Sequence, residues 1–77
     1  NLGVDFVGGQ MMRVTFSQPA NLDALRTTVN AAVPGDANIQ QFGAPTEVSI
    51  HTSLPEGGDE AANAAAERLR AAIQKAY

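Results

Sequence analysis

A chain of 77 residues with a net charge of −3, 44% apolar and 17% charged side chains, has the composition of one small globular domain and no room for a second core. It has no cysteine, which excludes a disulfide framework and a thiolate metal site. Its basic residues, Arg13, Arg26, Arg68, Arg70 and Lys75, are too few and too scattered for a nucleic-acid face, and no apolar run reaches bilayer-spanning length.

The chain starts at Asn1, without an initiator methionine, and reads as a piece of something longer. Gly3 to Phe6 form a short apolar, extended lead-in that Gly8 and Gly9 interrupt. Glycine weakens a strand interior, so a pair marks a turn, a bulge or a close backbone approach. From Gln10 the pattern alternates. Met12, Val14 and Phe16 fall on one face, Met11, Arg13 and Thr15 on the other, which predicts a half-buried strand with the first set inward. Pro19 cannot continue a central strand and ends it.

A helix is predicted next. Asn21 can cap it, Asp23 suits its positive first turn, and Leu22, Leu25, Val29 and Val33 make its apolar stripe. Pro34 and Gly35 stop it. ANIQQFG and TEVSIHTSL then read as two strands around a short GAP connection, hence an antiparallel hairpin. Ile39, Val48 and Ile50 should point inward, with Phe42 at the turn and His51 exposed. After the PEGGDE loop, Asp59 is the expected cap of an alanine-rich helix and Glu60 lies in its first turn. Ala62, Ala65, Ala66, Leu69, Ile73 and Ala76 form its inward stripe, and Leu69 and Ile73 carry most of the burial.

Strand, helix, strand, strand, helix is an α+β order. It matches the ferredoxin-like split βαβ with its closing strand missing: an antiparallel sheet with two helices on one face. The missing strand would lie beside the first, so the Met11–Phe16 strand is expected to be a bare edge. Such an edge is a template through which the isolated fragment would self-associate.

No chemistry emerges from the motifs. Gly8 and Gly9 lead into a strand rather than a helix N-terminus, and no lysine follows, which argues against a phosphate loop. An acylphosphatase-type cradle needs a cation where this chain has Asp5. His51 stands alone, without cysteine or a paired carboxylate, so no metal site is read. Asp59 and Glu60 already serve a helix start. Asp5 lies between Val4 and Phe6 and should pair with backbone N–H groups near the glycines or with Arg26. The residues alone stop at a small binding or structural domain, with no catalytic residue and no cofactor.

The opening run LGVDFVGGQMMRVTF resembles the glycine-pair signature of the SecD/SecF protein-export membrane proteins, in which G-[IV]-D-F-x-G-G follows the first transmembrane helix. The Asp5-Phe6 pair is similar to the SecF branch. LDALRTTV, with Arg26, ANIQQFG and EVSIHT resemble the family's next helix and strands, with His51 where arginine is usual. The resemblance implies that residues 1–77 are a single extracytoplasmic domain between the first two membrane helices. It implies a parent protein in the inner membrane with this domain in the periplasm. It further implies a non-catalytic accessory role in proton-gradient-driven preprotein export, beside a SecD-like subunit and the SecYEG channel, with the translocating preprotein as a further contact. Gly3, Asp5, Phe6, Gly8 and Gly9 carry the signature and inherit a structural role, which is to turn the chain from the membrane into the first strand and seat the domain there. A free-standing ferredoxin-like ligand- or partner-binding module is the alternative.

Overall fold

A computed structural model describes residues 2–8, 10–33, 35 and 37–77. It contains β1 (Gly3–Gly8), β2 (Met11–Thr15), α1 (Leu22–Ala32), β3 (Ala37–Phe42), β4 (Ala44–Thr52) and α2 (Gly58–Ala76). The four strands form one antiparallel sheet in the order β1-β2-β4-β3.

The predicted core face holds. Met12 lies opposite Ile50 and Val14 opposite Val48 across β2 and β4, and Ile39 of β3 lies opposite Ile50. All five are buried, together with Phe16, and join Leu25 and Val29 of α1 and Leu69 and Ile73 of α2 in one cluster. Both helices therefore pack on the same face of the sheet. Cross-strand apolar pairs of this kind set the register, because a one-residue slip would turn the whole set to solvent.

The expected bare edge is corrected. β2 is an interior strand, since β1 pairs with it along its length: Gly3 opposite Thr15, Val4 opposite Val14, Asp5 opposite Arg13 and Phe6 opposite Met12. The lead-in is itself a sheet strand and takes the place beside β2 expected of a missing closing strand. Its alternation explains the pairing. Val4 packs against the core cluster, while Gly3 and Asp5 lie opposite the outward Thr15 and Arg13. Self-association through β2 loses its template, and the sheet's edges are β1 and β3.

Helix α1 starts as its residues require. The Asn21 carboxamide accepts the Ala24 N–H at 3.1 Å and Asp23 occupies the first turn. Asn21→Ala is expected to cost about 1 kcal/mol, read as a lower midpoint in urea with an unchanged slope. Val33 closes α1, donating its N–H to the Val29 carbonyl. Pro34, the other half of the predicted stop, lies outside the described residues. Helix α2 starts differently from expectation. Gly57 is its N-cap, in a left-handed conformation, and no side chain caps it; Asp59 and Glu60 both lie in the first turn. Of the predicted α2 stripe, Ala65, Leu69 and Ile73 are buried, Ala62 and Ala66 are half-buried, and Ala76 is exposed.

Candidate functional site

The signature residues lie on the β1–β2 hairpin. Gly8 ends β1 with φ +100°, and Gln10 follows the turn with φ +62°. Both angles belong to the left-handed region, where glycine is at ease and a side chain costs energy. The register shifts between Phe6 and Gly8, so Val7 is bulged out and Gly8 comes opposite Met11. Gly9, the other half of the pair, lies outside the described residues. The Gln10 carbonyl accepts the Thr52 N–H at 2.9 Å, which ties the hairpin tip to the end of β4. Gly8→Ala should cost about 1–2 kcal/mol from its backbone angle. An added Cβ would meet nothing within 4 Å, so no packing loss should accompany it in urea unfolding.

On the sheet face away from the helices, Asp5, Arg13, Ser49 and Gln40 form one row across all four strands. The Arg13 guanidinium sits 4.0 Å from the centroid of the Phe42 ring on β3, so its side chain reaches across β4, where its register partner Ser49 is buried. Asp5 is exposed and has no ion pair among the described residues. Arg26, one of its two expected partners, binds Asp23 at 3.3 Å on α1 instead. His51 is exposed, opposite Met11 and Asn38. Among the described residues no three His, Cys, Asp or Glu side chains converge as metal ligands would.

Two clefts lie at opposite ends of β1. One, of about 350 Å³, runs between the hairpin tip and the N-terminal half of α2, with Phe6, Met11, Ala62, Ala66 and Glu67 in its walls. The other, of about 340 Å³, is lined by Leu2, Phe16, Pro19 and Tyr77. There the Phe16 and Tyr77 rings meet edge-on, 4.9 Å between centroids. Leu2 and Tyr77, near the two ends of the chain, thus share one cleft. Tyr77 continues the Leu69, Ile73 spacing by one more helical turn, so the residues themselves carried a signal for its place. The cleft beside α2 had no comparable signal, since it depends on how β1 folds back.

Residues 1–20, which span this hairpin, match the family model described as the SecD/SecF GG motif. Over 50 residues, 65% of its length, the chain is 46% identical to the protein translocase subunit SecF of Vibrio alginolyticus. It is 38% identical over 65 residues, 84% of its length, to that of Magnetococcus marinus. To the SecF of Gemmatimonas aurantiaca it is 36% identical over 76 residues, 99% of its length, so the likeness continues through α2. The chain belongs to the SecF family. It covers 16%, 21% and 22% of these three SecF relatives, about a fifth of a SecF subunit. No solved structure matches. The SecF signature is therefore a strand and its turn. Gly3 lies opposite Thr15, Asp5 opposite Arg13 and Phe6 opposite Met12, and Gly8 carries the left-handed turn.

Proposed function

We propose that the chain is the first extracytoplasmic domain of a SecF-like accessory subunit of the Sec translocase, between the first and second membrane helices of its parent. Its role is to contact protein, without chemistry of its own, during preprotein export driven by the proton gradient. The observation that carries this reading is the signature placed on a paired strand and its turn, within a likeness to SecF subunits that runs the length of the chain. The shared cleft of Leu2 and Tyr77 supports the same reading. A domain inserted between two membrane helices must receive and return the chain at one end. Among the described residues no helix is long and apolar enough to cross a membrane.

The order β2-α1-β3-β4-α2 is that of a ferredoxin-like unit, with β1 in the place and direction of the closing strand. This shifts the role of the glycines. Six residues of strand extend about 20 Å, so a membrane beside Leu2 lies a full strand away from Gly8. Gly8 then shapes the far tip of the hairpin, and seating on the membrane portion falls to the Leu2–Tyr77 end. The contact with a SecD-like subunit is assigned to the outer edge of β1, where Asp5, Phe6 and Val7 are exposed. The SecYEG channel and the preprotein are further partners.

The gene sequence on both sides tests this reading. A long apolar run ending shortly before Asn1 and another following Tyr77 are the expected result. A start codon close upstream and a stop soon after Tyr77 would overturn it.

A further inference from the structure

We propose that the cleft between the hairpin tip and α2 is a groove for an extended peptide that inserts an apolar side chain and carries a lysine or arginine beside it. One wall is the half-exposed Phe6 with Met11, and the facing wall is the small-residue surface of Ala62 and Ala66. At about 350 Å³ it is far larger than the roughly 30 Å³ that one water occupies in the liquid. Ala62 and Ala66 leave the space open on the α2 side, and Leu69, further along the helix, is part of its lining.

Charge selects the occupant. Among the described residues, Glu67 is the only charged one in the lining of this cleft. Asp59 and Glu60 lie one helical turn ahead of Ala62 and Asn63, at the i+3 and i+4 spacing that puts side chains on neighbouring positions of one surface. Glu56 precedes them, so four of the eight acidic residues of the chain fall between 56 and 67. The basic residues of α2, Arg68, Arg70 and Lys75, all follow. Arg70 is engaged with Glu67, which leaves Asp59 and Glu60 exposed and without a cation among the described residues. An apolar groove with an acidic mouth favours a cationic, apolar segment and repels an acidic one. Such a groove serves a peptide of any parentage, so its failure leaves the export reading standing, and the reverse also holds.

The test is fluorescence anisotropy of the 77-residue chain with two labelled hexapeptides, Gly-Leu-Phe-Lys-Lys-Gly and its Glu-Glu counterpart. The lysine peptide should bind about tenfold or more tightly than the acidic one, and the gap should shrink as salt is raised from about 0.05 to about 0.5 M. Ala66→Leu fills the groove and should weaken binding by about tenfold. Should that variant lose its fold, Asp59→Asn with Glu60→Gln tests the same point on exposed positions. This pair should lower affinity for the lysine peptide several-fold and raise that for the acidic peptide, so the gap between them narrows. Equal binding of the two peptides, no saturation by about 1 mM, or a folded Ala66→Leu chain that binds as before would each overturn the proposal. A dimer in sedimentation that Ala66→Leu abolishes would also overturn it, by making a second copy the occupant.

Discussion

Ile50→Ala is expected to remove a large share of the stability of this domain. Ile50 is fully buried and sits opposite Met12 on one side and Ile39 on the other, so it is the residue through which β2, β4 and β3 share a core. Truncating a buried isoleucine costs roughly 2–5 kcal/mol, combining lost transfer energy with the cavity left behind. A domain of this size has on the order of 4–12 kcal/mol in total. The loss should appear in urea as a lower midpoint with the same slope, because the surface exposed on unfolding is unchanged. Ile50→Val keeps most of the volume and should lose only about 0.5–1.5 kcal/mol. An alanine variant as mild as the valine one would mean that Ile50 does not hold the three strands together.

The reason Ile50 could be chosen from its residues is that period-two alternation survives wherever a strand has one dry face and one wet face. Met12, Val14, Val48 and Ile50 obey it, and so do the α1 positions Leu25 and Val29 at their helical period. The strand β1 was not legible in the same way. Its two terminal glycines and its Asp5 argue against a sheet strand, and its inward Phe6 is still half-exposed, so local preference gives little reason to pair it. Pairing is decided by the turn at Gly8, which folds β1 back onto a strand that would otherwise be an edge. The Arg13–Phe42 contact was hidden for a related reason. The register shifts between Gln41 and Phe42 of β3, which re-aims Phe42, and no alternation pattern announces a bulge. On α2 the residue types suggested Asp59 as cap, because a carboxylate there satisfies free N–H groups. Two consecutive glycines with positive φ let the helix begin earlier and leave Asp59 to the first turn.

These corrections bear on the candidate site more than on the core. The core is a set of side chains, each readable from its own period. Both clefts, and the edge assigned to a partner, arise between elements that only the fold of β1 brings together. Residues of the signature are thus informative about family and uninformative about contacts until the hairpin is known.

Gly57→Ala is expected to be the most damaging glycine replacement outside the hairpin, and it tests the wall of the α2 cleft directly. Gly57 has φ +112°, outside the range that L side chains adopt readily, and a Cβ there would lie 2.8 Å from the Cβ of Ala61. Ala61 has no rotamer with which to move away, so the backbone of the first turn of α2 must shift. The two costs together come to roughly 2–4 kcal/mol. Gly58→Ala separates them. Its φ is +75° and its added Cβ would meet nothing within 4 Å, so only the conformational share of about 1–2 kcal/mol should be lost. Urea unfolding of the two variants gives the difference, and amide exchange over residues 58–62 shows whether the first turn loosens. The double variant Gly57→Ala, Ala61→Gly should recover the steric share. It would still carry a penalty of about 0.5–1 kcal/mol for glycine within a helix, so the pair must be read as a coupling and not as a simple restoration. Equal losses for Gly57→Ala and Gly58→Ala, with no coupling to Ala61, would mean that the first turn of α2 yields freely. The cleft wall built on Ala62 and Ala66 would then be soft, and a peptide entering there would meet no preformed groove.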